Sequence, residues 1–164
     1  MSSRRDTVGL IAAVLGTEAI GGMSAVAAGG DFVRYFDALR KPPLTPPPAV
    51  FGPAWTALYL LMGIAAWLVW REGLDRRTAL ALGLFAAQLI LNFAWSLIFF
   101  GQHRAGLALI EIALLWLTIL ATILAFWRVR RAAGAILLPY LAWVSFAAYL
   151  NAGIWRLEQS AARG

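Results

Sequence analysis

The sequence predicts an all-α integral membrane protein, a bundle of five transmembrane helices formed by a single domain of 164 residues. Apolar residues make up 62% of the chain and charged residues 13%, whereas soluble domains are about half apolar and about a quarter charged. The mean hydropathy is +0.74. A water-soluble fold of this size cannot bury so much apolar surface, which indicates that a lipid bilayer surrounds the protein.

Five apolar runs are long enough to cross a membrane, because about 20 helical residues span the roughly 30 Å of hydrocarbon. The predicted spans are residues 8–28, 50–70, 79–100, 106–127 and 132–155. Charged residues occupy the breaks, and several tryptophans lie near span ends, where amphipathic rings favour the headgroup region. These runs and breaks predict the five helices.

The first span has an alternative interpretation as a cleavable signal peptide, because Arg4 and Arg5 precede an apolar stretch that ends in small residues. That stretch is longer than a usual signal-peptide core and holds Glu18 near its centre, so we expect the span to be retained. Basic residues are more numerous on the amino-terminal side of the membrane, which places the amino terminus in the cytoplasm. Arginine greatly outnumbers lysine, which favours a bacterial membrane.

The loop between the first two spans, residues 29–49, is the longest and is called the lid loop below. Residues 31–40 predict a short interfacial helix with Phe32, Phe36 and Leu39 on its apolar side. The prolines of residues 41–48 forbid a regular helix and hold the backbone extended. Such a stiff loop is either a lid over the bundle or a connector.

Aromatic and polar residues recur at helical spacing in three spans. The stripes are Trp55, Tyr59, Met62 and Ala66; Gln88, Asn92, Trp95 and Phe99; and Pro139, Trp143, Phe146 and Leu150. A cavity lined in this way suits a large, flat, mostly apolar ligand, because rings stack and a few polar groups fix its orientation. Helix packing with the amides as interhelical hydrogen bonds explains the same spacing.

Carboxyl groups and small residues within the spans are further candidates for function. Glu18 and Glu111 have no opposing Lys or Arg in an apolar run, so each is expected to be neutral, paired or facing water. They serve either a proton or cation path or a hydrogen-bonded structural role. Small residues within a span predict close contacts between helices. The two small residues of the third span, Gly83 and Ala87, are expected to contact another helix either in a homodimer or within the bundle. The small residues in question are Gly16, Gly21 and Gly22 in the first span and Gly83 with Ala87 in the third.

Several chemistries are excluded by what the sequence lacks. The chain has no cysteine, which removes disulfides and thiolate metal sites. It has no Gly-rich phosphate loop and no Ser-His-Asp set. The single histidine, His103, lies in a short loop and is expected to be solvated rather than to bind a metal or haem iron. The net charge of +6 flanks the spans, so no nucleic-acid partner is expected.

Five short segments, in order along the chain, together resemble the TspO/MBR family of translocator proteins, or peripheral benzodiazepine receptors, and bacterial tryptophan-rich sensory proteins. The segments are Lys41-Pro42 with Pro46-Pro47, Gly52-Pro53-Ala54-Trp55 with Leu58-Tyr59, residues 88–92 with Trp95, residues 98–101, and residues 138–143 with Leu150-Asn151. The resemblance implies a five-helix bundle, commonly dimeric, with a pocket near one membrane face closed by the first loop. It also implies that porphyrins and synthetic aromatic compounds bind this pocket and that sterols associate with the fifth helix.

The pocket positions implied by the resemblance are Val26, Phe51, Gly52, Trp55, Gln88, Asn92, Trp95, Leu107, Ile110, Leu114, Trp143, Phe146, Ala147 and Leu150, with Tyr59 added from its stripe. This chain departs from the family pattern at Leu44 and Ala49, where lid tryptophans are usual, and at Leu107, where the animal protein has a tryptophan. We therefore expect less stacking beneath the lid. Ala152 and Gly153 occupy the aromatic positions of the sterol pattern, so tight sterol binding is not expected.

The leading hypothesis is a receptor-like membrane protein that binds porphyrins or other tetrapyrroles and similar flat hydrophobic ligands. Trp55, Trp95 and Trp143 would stack on the ligand, while Gln88 and Asn92 would orient it. No metal and no cofactor is expected to be required, and protoporphyrin IX or haem is a candidate ligand. The alternatives are a transporter of such ligands, or an enzyme of light-dependent porphyrin breakdown that uses Trp55 or Trp143. Membrane lipid and a second copy of the chain are the other expected partners.

Overall fold

The computed structural model describes residues 2–29 and 32–163, most of them helical. The helices are α1 (Ser2–Ala27), α2 (Phe32–Ala38), α3 (Phe51–Trp70), α4 (Arg76–Ser96), α5 (Ala105–Val129), α6 (Arg131–Ile136) and α7 (Leu138–Ala162). Five helical segments are long and apolar enough to cross a membrane, with α6 and α7 together forming the last of them. The predicted fold class is therefore confirmed. Gly30 and Asp31 of the lid loop, and the side chain of Phe32, lie outside the described residues.

The third span begins three residues earlier than predicted because a hydrogen bond, rather than hydropathy, sets its start. The Asp75 carboxylate accepts a hydrogen bond of 2.8 Å from the backbone N–H of Thr78 and caps α4. Hydrogen bonds from Thr78 also lower the pKa of Asp75 from its usual 3.8. At its other end, α4 continues into a π-helical turn over Leu97–Gly101.

The predicted fifth span is divided at Leu137, where α6 ends and α7 begins. Pro139 lies in the first turn of α7, and a proline is tolerated there because the N–H it lacks has no partner inside the helix. Hydropathy does not reveal this break, since the residues on both sides of it are apolar.

Helix α1 packs mainly against α3, whereas α4, α5 and α7 form the closely packed half of the bundle. Thr17 Oγ1 donates a hydrogen bond of 2.8 Å to the backbone carbonyl of Tyr59. A Cβ atom at Gly63 would lie 2.7 Å from Val14 Cα, so the two backbones approach too closely there for any larger residue. Near the lid end, a space remains between α1, α3, α4 and α7, although the carboxyl-terminal end of α1 still contacts the π-helical turn, where a Cβ atom at Gly101 would lie 3.2 Å from the backbone carbonyl oxygen of Ala27.

The predicted helix contacts of the small residues in α1 and α4 are only partly correct. A Cβ atom at Gly21 would lie 2.5 Å from Tyr59 Cδ2, but one at Gly16 or Gly22 would meet no atom within 4 Å. The expected contacts of Gly16 and Gly22 within the bundle are therefore wrong. Gly83 and Ala87 are exposed on the outer face of α4, so a close helix contact within the bundle does not account for small residues at these two positions.

The lid loop contains the predicted short helix, which is α2. Phe36 on its inner side is 3% exposed, and Lys41 Nζ donates to the backbone carbonyl of Phe36 at 2.7 Å and closes the end of the helix. The proline segment is not uniformly extended, which corrects the prediction. Leu44 adopts a φ of 68° in a tight turn, and Pro48 begins a short 3₁₀ turn, a position that suits a residue without an N–H.

Candidate functional site: an aromatic cavity beneath the lid loop

A cavity of about 400 Å³ lies between α1, α3, α4 and α7 at the lid end of the bundle. Its volume falls within the range of about 300–1,000 Å³ that is usual for small-molecule sites. The cavity is lined by Glu18, Gly21, Gly22, Ser24, Ala25, Ala28, Phe51, Gly52, Trp55, Thr56, Tyr59, Asn92, Trp95, Ser96, Phe100, Trp143 and Ala147.

Aromatic rings form the wall opposite α1. Trp55 and Trp143 meet edge to face, with ring centroids 6.5 Å apart and ring planes at 86°. Phe51 contacts Trp143 at 5.9 Å, and Tyr59 contacts Trp55 at 5.8 Å. The spacing of four residues between Phe51, Trp55 and Tyr59 places them on one face of α3. Because Trp55 and Trp143 are nearly perpendicular, a flat molecule that stacks on one of these rings meets the edge of the other.

A buried chain of hydrogen bonds supports this wall from behind. Tyr59 Oη donates to Asn92 Oδ1 at 2.6 Å, Asn92 Nδ2 donates to Tyr140 Oη at 2.9 Å, and Tyr140 Oη donates to Gln88 Oε1 at 2.7 Å. Gln88 Nε2 is 3.8 Å from Met62 Sδ, its remaining partner. The chain joins α3, α4 and α7, and it fixes the side chains of Tyr59 and Asn92 at the cavity surface.

Trp95 is held by a second set of contacts. Its ring stacks on Phe99 with centroids 5.4 Å apart, and its Nε1 donates to Asn151 Oδ1 at 3.2 Å. Asn151 Nδ2 in turn donates to the backbone carbonyl of Ala105 at 2.8 Å, at the start of α5. This connection fixes the position of Trp95 relative to α5 and α7.

The lid loop is attached to the bundle at two places, through α2 and through the proline segment of residues 41–48. On α2, Phe36 packs against Phe51 at 5.1 Å, and Tyr35 stacks on His103 at 3.9 Å. His103 is thus in a loop, as predicted, but it is packed against a ring. Burial, with a smaller contribution from the Glu158 carboxylate, raises the pKa of Tyr35 above its usual 10.0.

The proline segment is attached to α7. Tyr149 Oη donates to the backbone carbonyl of Pro43 at 2.9 Å. A Cβ atom at Gly153 would lie 2.6 Å from Pro42 Cγ. Gly153, which departs from the aromatic sterol pattern of the family, is therefore the residue that lets the proline segment lie against α7.

The structure places many of the predicted site residues together at the cavity surface. Those that line it are Phe51, Gly52, Trp55, Tyr59, Asn92, Trp95, Trp143 and Ala147. They come from α3, α4 and α7, the helices on which aromatic residues recur at helical spacing.

Other predicted site residues lie elsewhere, which corrects their expected position. Gln88 is buried behind the wall, Leu150 lines a separate space of about 20 Å³ beneath α2, and Phe146 packs beside Trp143 at 5.8 Å without lining the cavity. The remaining four are exposed residues outside the cavity: Val26 on α1, and Leu107, Ile110 and Leu114 on α5. Helix α5 packs behind α4 and α7, so no face of it reaches the cavity.

Sequence reasoning selected only Val26 on α1 and missed the residues of this helix that line the cavity. Glu18, Gly21, Gly22, Ala25 and Ala28 all line the cavity, and their spacing of three or four residues places them on one face. Small residues beside a single carboxyl group were the available signal, but the glycines were interpreted as helix contacts. Ser24, Thr56, Ser96 and Phe100 were also missed.

Glu111 does not line the cavity. It is 8% exposed on α5, and neither of its carboxyl oxygens has a hydrogen-bond partner among the described residues. Of the three states expected for Glu111, which were neutral, paired or facing water, the paired state is not observed among the described residues. Among residues 2–29 and 32–163, no group of three or more His, Cys, Asp or Glu is arranged to hold a metal ion.

The sequence matches the model of the TspO/MBR family over residues 9–156, which reach from α1 into α7. The translocator protein of Homo sapiens is 41% identical over 129 residues, which cover 77% of this chain and 76% of the human protein. The tryptophan-rich protein TspO of Chlorobaculum tepidum is 44% identical over 125 residues, 76% of this chain and 79% of that protein. The protein of the same name from Archaeoglobus fulgidus is 36% identical over 151 residues, 91% and 96% of the two chains.

Proposed function

This chain belongs to the TspO/MBR family of membrane proteins, and on that premise we propose that it binds a porphyrin or a similar flat hydrophobic molecule in the aromatic cavity. Membership confirms the resemblance of the sequence motifs. The observation that carries the proposal is the cavity of about 400 Å³ between α1, α3, α4 and α7, with three indole rings in its lining.

The arrangement of the wall suits one face of such a ligand. Trp55 and Trp143 meet at an angle of 86°, so a flat ring system that stacks on one indole meets the edge of the other. Both arrangements are favourable for aromatic groups and contribute about 0.5–1.5 kcal/mol each beyond burial. Tyr59 and Asn92 are fixed in position by their hydrogen bonds and offer polar atoms at one end of the cavity.

Titration with protoporphyrin IX in detergent, followed by quenching of tryptophan fluorescence, tests the proposal. We expect Trp55→Ala and Trp143→Ala each to weaken binding by about tenfold, which corresponds to about 1.4 kcal/mol. Trp127→Ala is the matched control, since Trp127 lies outside the cavity and is exposed. Equal affinity of the two cavity variants and the wild type would contradict the proposed site.

Transport and light-dependent breakdown are separate outcomes that further measurements distinguish. Net porphyrin uptake into liposomes that contain the protein would identify a transporter. Loss of porphyrin absorbance on illumination, with products that depend on Trp55 or Trp143, would identify an enzyme. Both tryptophans lie in the cavity wall, where either activity would require them.

A homodimer through the outer face of α4 is the proposed assembly. Gly83 and Ala87 are exposed there, and nothing lies within 4 Å of a Cβ atom at Gly83, so a second helix could approach closely. The chain has no cysteine, so Ala87→Cys provides a unique crosslinking site. We expect this variant to form disulfide-linked dimers, while Leu117→Cys on α5 does not.

The bacterial membrane and the cytoplasmic amino terminus stay predictions.

A further inference from the structure

We propose that Glu18 selects the charge of the ligand, so that the cavity prefers a flat aromatic molecule with a cationic nitrogen over a neutral or anionic molecule of the same shape. This inference rests on the proposed function, because it assigns a ligand class to the same cavity. The family resemblance does not supply it, since Glu18 is not among the pocket positions that the family motifs indicate.

Glu18 lies at the inner end of the cavity. The adjacent residue, Thr17, donates a hydrogen bond of 2.8 Å to the backbone carbonyl of Tyr59, which places Glu18 at the depth of Tyr59 in the bundle. Glu18 itself lines the cavity and is half-buried. Within residues 2–29 and 32–163, no salt bridge to Glu18 is present, and the cavity lining contains no Lys, Arg or His.

The hydroxyl groups in the lining strengthen the preference for a donor. Ser24 Oγ donates to the backbone carbonyl of Ile20 at 2.9 Å, and Tyr59 Oη donates to Asn92 Oδ1 at 2.6 Å. Ser96 Oγ donates to the backbone carbonyl of Asn92 at 3.3 Å. Because these three protons already have acceptors, these three hydroxyl oxygens keep lone pairs for a ligand, while the fourth hydroxyl of the lining, that of Thr56, can donate or accept.

The Asn92 side chain is held by two hydrogen bonds. Its carbonyl oxygen accepts from Tyr59, and its amide donates to Tyr140. The one charged group of the lining is therefore the Glu18 carboxyl, and it lies in a cavity where the hydroxyl oxygens of Ser24, Tyr59 and Ser96 keep lone pairs for a ligand donor. A ligand carboxylate placed there would meet lone pairs and a like charge, whereas a protonated nitrogen would donate to them.

The surroundings increase the effect of this charge. A carboxylate among apolar and aromatic side chains lacks the solvation of water, and an opposite charge on a ligand restores a favourable partner. Hydrogen bonds between a cationic nitrogen and a carboxylate are also stronger than neutral ones. We expect acidic substituents, such as the propionates of a porphyrin, to lie away from Glu18, because like charges repel.

Three probes that share three linearly fused aromatic rings, and so nearly the same shape, but differ in charge test the inference. They are 9-aminoacridine, which is a cation at neutral pH, anthracene, which is neutral, and 9-anthracenecarboxylate, which is an anion. Binding of each to the full-length protein is measured in one detergent by tryptophan quenching. We expect the wild type to bind the cation most tightly and the anion least tightly.

Glu18→Gln is expected to reduce the ratio of cation to anion affinity by about tenfold or more, while the affinity for anthracene stays unchanged. Glu18→Lys is expected to reverse the preference toward the anion. Glu111→Gln is the matched control, because it removes an intramembrane carboxyl group that does not line the cavity, and its affinity ratio should equal that of the wild type.

An unchanged ratio in Glu18→Gln, with anthracene still bound, would overturn the inference and leave the proposed binding site in place. Binding of all probes and of protoporphyrin that is insensitive to Trp55→Ala and Trp143→Ala would instead overturn the proposed function. A loss of the ratio in Glu111→Gln as large as in Glu18→Gln would also contradict the specific role of Glu18.

Discussion

Removal of one hydroxyl group from the buried hydrogen-bond chain, by Tyr140→Phe, tests whether this chain holds the cavity wall together. Tyr140 is 1% exposed, and its hydroxyl donates to Gln88 Oε1 at 2.7 Å and accepts from Asn92 Nδ2 at 2.9 Å. The variant keeps the aromatic ring and its edge contact with Trp55 at 6.3 Å, so it removes two hydrogen bonds and little packing.

The expected cost follows from those two bonds. Interhelical hydrogen bonds in membrane proteins contribute about 0.6 kcal/mol on average and about 1.7 kcal/mol at most. Two of them therefore predict a loss of about 1–3 kcal/mol in the free energy of unfolding. The upper part of this range is expected, because the substitution leaves a buried amide N–H and a buried carbonyl without a partner.

Unfolding by SDS in mixed micelles, followed by helical circular dichroism, measures this loss. Tyr149→Phe is the matched control, since the Tyr149 hydroxyl makes a single, exposed hydrogen bond to the Pro43 carbonyl at 2.9 Å. It should cost less than about 1 kcal/mol. A Tyr140→Phe protein as stable as the wild type, or no more affected than Tyr149→Phe, would refute the role assigned to the chain.

Three further substitutions test the lid, the α1 contact and the α4 cap. Gly153→Leu should loosen the lid and raise the ligand dissociation rate several-fold, because a Cβ atom there would lie 2.6 Å from a proline ring carbon of the lid; an unchanged rate would show that the lid does not limit dissociation. Gly21→Val should destabilise the protein by about 1–3 kcal/mol, because a Cβ atom there would lie 2.5 Å from Tyr59 Cδ2. Gly22→Val should not destabilise it, because no atom lies within 4 Å of a Cβ atom at Gly22. Equal losses of stability in the two variants would argue against the contact between α1 and Tyr59. Asp75→Ala should lower the unfolding midpoint by a few degrees at neutral pH, because it removes the hydrogen bond that caps α4. The folded-state pKa of Asp75 is below 3.8, so the stability that the carboxylate contributes is present above that pH. The difference in midpoint between variant and wild type should vanish as the pH falls through the lowered pKa, and a difference that persists in acid would contradict the assignment.

The five spans could be predicted from the sequence because hydropathy reports which residues lie at membrane depth. It does not report which way a residue faces, since lipid-facing and core-facing side chains are both apolar. Leu107, Ile110 and Leu114 illustrate this. Their apolar side chains are compatible with the pocket position that the family resemblance implies, but in this chain they lie on the outer surface of α5.

The cavity could be predicted on the helices that carry aromatic and amide groups, because those groups need partners inside the bundle. Trp55, Asn92 and Trp143 were found in this way. The contribution of α1 to the cavity wall could not be predicted, because a glycine such as Gly22 is equally compatible with a close helix contact and with an open space. The break at Leu137 depends on backbone geometry around a proline, which composition does not encode.

Ligand protection of a single cysteine inside the cavity tests most directly whether the ligand occupies the space between α1, α3, α4 and α7. The chain has no cysteine of its own, Thr56 lines the cavity, and Leu117 is exposed on α5. Maleimide labelling of Thr56→Cys should become much slower when protoporphyrin IX is saturating, while labelling of Leu117→Cys should not change. Equal labelling rates of Thr56→Cys with and without bound porphyrin would contradict the assignment of the cavity as the binding site.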